Sequence, residues 1–231
     1  MNHSHLLYSA RNAFVAAVLI LSLGVISFFA FEPSIGRAVT SGPFSVTQEI
    51  TNEISFLVNA TNVTMAGTIA GITGGYATGT TVAVVRTNNA TGYNMTLGFS
   101  STTAMKLNNA SSTISNYTPA VGGVPDYGWV DNSSGQAAEF GYTVRASTTS
   151  EVDPSFMSNG STLCNTGTTE SDNKCWLNPN NTPETIINTS GSVAGSTTTI
   201  KFKVAVPNAP SPALPSGFYV ATGTLTAVTN P

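Results

Sequence analysis

Two cysteines are the residues of this chain whose type and spacing most clearly predict chemistry. Cys164 and Cys175 lie in one polar segment, TLCNTGTTESDNKCW. Outside the cytoplasm, an isolated pair at this spacing is typical of a disulfide that closes a loop. Free thiols or a shared metal ion are the alternatives, but two thiols alone do not complete a metal site and no histidine follows His5. The sequence therefore predicts a disulfide between Cys164 and Cys175.

Three aromatic residues stand in polar stretches of the chain. Tyr127 and Trp129 lie in DYGWVDN, and Trp176 lies in CWLNP. Exposed aromatic side chains stack on sugar rings or anchor a protein partner. The same side chains can instead pack against the fold, and Trp176 can shield the neighbouring disulfide. Tyr127, Trp129 and Trp176 are therefore candidate ligand-binding residues, with packing as the alternative.

Acidic residues in polar loops suggest a bound metal. Asp126 and Asp131 lie close together, and Asp172 lies in a second polar cluster. Calcium prefers several oxygen ligands of this kind, although neither cluster matches the EF-hand loop with its closing glutamate. Asp126, Asp131 and Asp172 are therefore candidate calcium ligands, with ordinary solvated loops as the alternative. No other cofactor is expected.

Composition excludes the common nucleophilic catalysts. No histidine follows His5, which removes Ser-His-Asp and Cys-His arrangements, and two joined cysteines leave no thiol nucleophile. A glycan hydrolase stays an alternative, because it needs only two carboxyl groups at a set separation. Its candidate acids are Asp126, Asp131, Glu139, Glu151, Asp153, Glu170, Asp172 and Glu184. None of them carries a motif, so we expect a protein that is not an enzyme.

Asn-x-Ser/Thr triplets recur along the chain and fit the pattern that accepts sugars. The candidate acceptors are Asn89, Asn109, Asn132 and Asn159. Asn89 also lies in an Asn-Asn-Ala-Thr-Gly stretch between two alternating runs, where Asn and Gly accept the backbone of a tight hairpin turn. Because Ser and Thr are frequent throughout, chance alone produces many such triplets. The alternative to glycosylation is an extracellular surface solvated by neutral polar side chains.

The N-terminal region predicts export. Residues 14–31, FVAAVLILSLGVISFFAF, are almost wholly apolar. A helix of about 20 apolar residues crosses a bilayer, and a secretory signal has a basic start, an apolar centre and small residues before the cut. We therefore expect residues 1–38 to be a signal peptide cleaved after Ala38, or an anchor that crosses the membrane through residues 13–31. Both readings place residues 39–231 outside the cell or on its surface.

Charged residues make up only 8% of the 231-residue chain, and the net charge is −3. A typical globular domain has about a quarter of its residues charged. The eight basic residues are scattered singly, so they form no electrostatic surface for nucleic acid. A nucleic-acid partner is therefore excluded.

Beyond the leader, period-two alternation predicts β-strands. The alternating runs are 43–50, 54–58, 80–87, 93–99, 139–145, 199–206 and 218–228. No stretch beyond the leader has a helical period with caps. The predicted fold is therefore all-β, a two-sheet antiparallel β-sandwich preceded by an N-terminal signal or transmembrane helix. Long loops at about 100–135 and 147–195 are expected to carry the binding surface.

The C-terminal region carries an ordered set of short motifs. These are Val206-Pro207, Gly217-Phe218-Tyr219 and a Leu-Thr-rich strand that begins at Leu225 and ends before Pro231. In this outline the chain resembles exported bacterial cell-surface domains of the WxL type, with Ala227 where that family has the tryptophan of its C-terminal motif. The resemblance covers most of residues 43–231 in pattern. It implies a surface β-sandwich that attaches to peptidoglycan.

Together these observations predict a secreted or surface-anchored protein with a structural or adhesive role. Its expected partner is cell-envelope polysaccharide or a neighbouring surface protein. One alternative is a subunit of a surface filament or layer that assembles by edge-strand pairing. The other alternative is the carboxylate-dependent glycan hydrolase.

Overall fold

The structure is a computed structural model that describes residues 3–30, 42–108, 110–131, 134–171 and 173–231. The chain divides into two compact units, of which the second begins at Ile50.

The first unit contains one helix, α1 (His3–Ala30). Large apolar side chains such as Phe14, Ile20 and Leu21 are exposed along it. Among the described residues, no helix combines the length and the apolar character needed to cross a membrane. The signal or anchor over residues 1–38 stays a prediction, and its expected cleavage after Ala38 falls outside the described residues.

The second unit is built from β-strands. They are β1 (Ile54–Val58), β2 (Ile69–Ala70), β3 (Gly74–Thr87), β4 (Tyr93–Phe99), β5 (Met105–Leu107), β6 (Thr113–Asn116), β7 (Glu139–Ala146), β8 (Glu184–Asn188), β9 (Val193–Val206), β10 (Tyr219–Ala221) and β11 (Gly223–Thr229). Two single-turn 3-10 helices, Thr149–Glu151 and Pro154–Phe156, lie between β7 and β8.

The strands form two sheets, as predicted. The large sheet has the order β1-β3-β9-β7-β6-β5-β10, with β2 also on β3, and the small sheet has the order β11-β4-β8. The prediction of purely antiparallel pairing is wrong, because β6 pairs with β7 in parallel, Ser115 opposite Glu139. A long connection between β6 and β7 lets the chain return in the same direction, which a tight hairpin does not allow.

The main core lies between the two sheets and follows from the alternation along β4. Its residues alternate between buried and half-buried, with Tyr93, Met95, Leu97 and Phe99 turned inward. Phe99 packs edge-to-face on Phe140 of β7, with ring centroids 6.0 Å apart. Aromatic pairs prefer this arrangement, since a positive ring edge then faces a negative ring face.

The predicted runs at 54–58, 80–87, 93–99, 139–145 and 199–206 are strands in the structure. The run at 218–228 is divided at Thr222, where the chain leaves the large sheet as β10 and enters the small sheet as β11. The predicted strand at 43–50 is wrong, since residues 42–53 form no strand. Strands β5, β6 and β8 lie in segments that the sequence predicts as loops. Strands β5 and β6 are too short to show alternation, and β8 has two adjacent apolar residues, Ile186 and Ile187, which break it.

Candidate functional site

Trp129 lies on the outer face of the large sheet, where β7 has a glycine. A β-carbon built on Gly141 would come within 2.8 Å of the Trp129 ring. Tyr117 stacks on the same ring with centroids 4.2 Å apart, and the Lys203 ammonium lies 4.7 Å from the ring centroid. The glycine is therefore what allows this indole to approach β7 so closely.

Trp176 and Tyr127 are the other two candidate ligand-binding aromatics. Trp176 is only 1% exposed, and it meets Trp129 edge-to-face with centroids 5.2 Å apart. Its indole N–H donates to the Asn173 carbonyl oxygen at 3.0 Å. Tyr127 is half-buried, and the Lys174 ammonium lies 4.1 Å from its ring centroid. The structure thus brings Trp129 and Trp176 together as a packed cover in which Trp176 has no free face, whereas the contacts of Tyr127 are with Lys174 and Gly160.

The predicted disulfide is confirmed. Cys164 and Cys175 are joined and both are buried. The loop that they close is also tied by Ser158, whose backbone N–H donates to the Thr169 carbonyl oxygen at 2.7 Å. Next to Cys175, Trp176 exchanges backbone hydrogen bonds of 2.9 Å with Asp126. Backbone hydrogen bonds therefore connect the end of the disulfide loop to the loop that carries Trp129.

The candidate calcium ligands have protein partners. The Tyr117 hydroxyl donates to the Asp126 carboxylate at 2.6 Å, and Lys203 donates to Asp131 at 3.1 Å. Burial raises the pKa of Tyr117, and the bond to Asp126 raises it further. Asp172 lies outside the described residues. In the part of the chain that the structure describes, no group of three or more His, Cys, Asp or Glu side chains could hold a metal ion.

The candidate sugar acceptors differ in their surroundings. Asn89 is 3% exposed, and its amide nitrogen donates to the oxygens of Thr91, Gly92 and Asn230 at 2.7–2.9 Å. A glycan on this nitrogen would replace that network, which joins the β3–β4 turn to the C-terminus. Asn159 is exposed, and a glycan there stays a prediction. Asn109 and Asn132 fall outside the described residues.

A surface without any predicted residue lies at the edge of the small sheet. Strand β11 pairs in regular register with β4, from Gly223 opposite Phe99 to Thr229 opposite Tyr93. On its other side, which we call the free edge, it pairs with no strand of the described chain. Its sequence, GTLTAVT, contains neither charge nor proline.

The backbone groups of β11 alternate between its two sides. The Asn230 N–H donates to the Gly92 carbonyl oxygen at 3.0 Å just beyond the end of the strand. Because hydrogen-bonded and non-bonded pairs alternate in an antiparallel ladder, the backbone N–H and C=O of Thr226 face β4. Those of Leu225 and Ala227 face the free edge.

A cleft of about 370 Å³ opens beside β11, between the two sheets, and polar residues such as Thr61 and Asn62 line it together with apolar ones. Its walls include Leu97, Phe99, Phe140, Phe202 and Leu225. These side chains come from both sheets, so the core between them is not filled at this end of β11.

No family model matches the chain, and neither a curated protein nor a solved structure is significantly similar to it. The resemblance to WxL-type domains stays a prediction.

Proposed function

We propose that this chain is an exported, non-enzymatic subunit of a surface filament or layer, which assembles when a strand of another protein adds to the free edge of β11. The observation that carries the proposal is the free edge itself. It is seven residues long, paired on one side only, and without charge or proline. Natural sheets normally protect an edge with Lys, Pro, a bulge, a short strand or a cover.

The other sheet edges carry such protection. The outer side of β8 is bridged by Val152 at Ile187. Strand β1 has an irregular register between Phe56 and Val58, and β10 is only three residues long. Strand β11 is therefore the edge best suited to a strand added along its whole length.

Export is supported by independent features. A disulfide persists in oxidising compartments, such as the outside of a cell, and Cys164 is joined to Cys175. The surface is solvated mainly by neutral polar residues, since only 8% of the chain is charged. Together with the apolar N-terminal segment, these features favour a protein that works beyond the cytoplasm.

Binding of envelope polysaccharide stays a prediction. It was based on Trp129 and Trp176, and those side chains pack on each other and on the sheet. Strand addition has more support, because the free edge of β11 is paired with no strand of the described residues and lies next to a cleft with apolar wall residues.

The experiment that tests the proposal is electron microscopy of the purified full chain and of an Ala227→Pro variant. Proline at this position removes an N–H that faces the free edge and keeps the ladder to β4, a placement that edge strands tolerate. We expect ordered polymers from the parent chain and folded single subunits from the variant.

Two further variants make the result specific. Ala213→Pro, in an exposed stretch outside the strands, should polymerise like the parent. Thr226→Lys adds a protective charge to the edge and should weaken polymerisation without altering the backbone. Unchanged polymers from both the Ala227→Pro and Thr226→Lys variants, or none from the parent chain, would refute the proposal.

A further inference from the structure

The segment before β1 has the sequence pattern of a strand but pairs with no strand of the part of the chain that the structure describes. In PFSVTQEI, residues 43–50, one face carries the polar Gln48 together with the apolar Phe44, Val46 and Ile50. The exposed fractions of these three apolar residues are 84%, 85% and 81%, and residues 42–53 form no strand. Apolar side chains that are exposed at period two are typical of a segment that becomes a strand when it pairs with a second chain.

The chain becomes fixed immediately after this segment. The Asn88 side-chain amide donates to the Thr51 carbonyl oxygen at 2.9 Å and accepts from the Glu53 N–H at 2.6 Å. These bonds attach residues 51–53 to the β3–β4 turn. The alternating segment thus ends where the hydrogen-bonded residues 51–53 begin.

The segment and the free edge of β11 match in length and in charge. Residues 43–50 supply eight residues, and β11 has seven. The segment has one charged residue, Glu49, which lies on the face opposite Phe44 and Val46, and β11 has none. Pairing therefore brings no two like charges together, a condition for stable neighbouring strands.

We infer that residues 43–50 of one copy of this chain are the strand that adds to β11 of a second copy. This inference rests on the proposed function and names its partner. The backbone of the segment pairs with the edge groups of Leu225 and Ala227. The face with Phe44, Val46 and Ile50 covers the half-buried side of β11 and the mouth of the cleft, whose apolar wall residues include Leu97 and Leu225.

Donor and acceptor are different parts of the chain, so the contact is heterologous. A heterologous contact that does not close on itself leaves one donor and one acceptor at the ends of every oligomer. Growth is then open-ended, which produces a filament rather than a dimer.

The test compares two aspartates on neighbouring positions of the full chain. Val46→Asp would bury an unpaired charge against the cleft, whereas Thr47→Asp places the same charge on the opposite, solvent-facing side. We expect Val46→Asp to raise the concentration needed for polymerisation by more than about a hundredfold. Thr47→Asp should leave it within about twofold.

The outcomes separate this inference from the proposed function. If Ala227→Pro stops assembly and Val46→Asp does not, strand addition stands and residues 43–50 are not the donor. If Val46→Asp and Thr47→Asp weaken assembly equally, the two faces of residues 43–50 do not differ in burial, and the inference is wrong.

A cross-link identifies the two chains involved. Cysteines at Val46→Cys and at Ala227→Cys, introduced in separate copies and mixed under oxidation, should give a covalent dimer, since the native cysteines are already joined. No dimer from the mixture would overturn the inference. A chain that carries both substitutions is a second test. If it forms only an intramolecular disulfide at every concentration, the inference is also overturned, because the segment would then pair with β11 of its own chain.

Discussion

The outer face of β7 and the free edge of β11 belong to one domain and differ in whether other parts of the chain cover them. Over β7 the chain supplies its own cover, in which Trp129 and Trp176 pack together and a disulfide ties the covering loops. Along the free edge of β11 no strand of the described residues pairs, and a cleft opens next to the strand. The residues that looked functional thus complete the fold, and the surface available to a partner consists of ordinary strand residues.

The largest effect that sharpens this contrast is expected from Trp176→Ala. Truncating a fully buried tryptophan costs about 3–5 kcal/mol of unfolding free energy, and Trp176 is fully buried. Denaturant unfolding measures the loss. Tyr127→Phe is the control, because it removes only a hydroxyl at a half-buried residue and should cost less than about 1 kcal/mol. An unchanged stability of the Trp176→Ala variant would mean that the cover over β7 is not structural.

The second-largest loss of unfolding free energy is expected from removing the disulfide. Removing it through Cys164→Ser with Cys175→Ser frees a loop whose ends are eleven residues apart. The chain-entropy model gives a loss of about 3 kcal/mol for a loop of this size. Unfolding of the oxidised parent and of the double variant measures it. At concentrations where both are folded, polymerisation should be equal, and a loss of polymers from the folded double variant would place the disulfide loop in the assembly surface.

A pair of prolines distinguishes the two sides of β11 in the monomer. Thr226→Pro removes a hydrogen bond to β4 and should cost about 1–3 kcal/mol, whereas Ala227→Pro removes none and should cost less than about 1 kcal/mol. Thermal unfolding of dilute samples measures both values. Equal losses would mean that the backbone alternation along β11 has been assigned incorrectly.

The smallest effect concerns the opposite edge of the small sheet. Burial raises the pKa of Glu184 on β8, and the charge of Asp153 raises it further. The folded state therefore favours the protonated carboxyl, so the stability that it contributes is present below its ordinary pKa and is lost as the pH rises through the raised value. Glu184→Gln should raise the melting temperature slightly at neutral pH and not at about pH 3.5. An equal shift at both pH values would exclude the carboxylate charge as its cause.

The sequence predicted the long strands because their alternation spans many residues. Strand β7, for example, has Phe140, Tyr142 and Val144 on one face. It did not predict β5 or β6, whose three and four residues give no usable period. The parallel pairing of β6 with β7 depends on how the connecting chain packs, which alternation does not encode.

The candidate site was missed for a different physical reason. Sequence reasoning favours rare side chains, and Trp129, Trp176 and the cysteines are rare here. Strand addition uses backbone groups, which every residue has. The available signal was an absence, since the stretch from Gly223 to Thr229 contains no charge or proline that would protect an edge. The disulfide, by contrast, was predictable, because two cysteines allow only one pairing.

Amide hydrogen exchange in monomer and polymer tests the central claim most directly. The N–H groups of Leu225 and Ala227 face the free edge, whereas that of Thr226 bonds to β4. We predict that Leu225 and Ala227 exchange rapidly in the monomer and become protected in the polymer, while Thr226 is protected in both. Rapid exchange of Leu225 and Ala227 in the assembled state would show that no strand adds to β11, and would contradict the account.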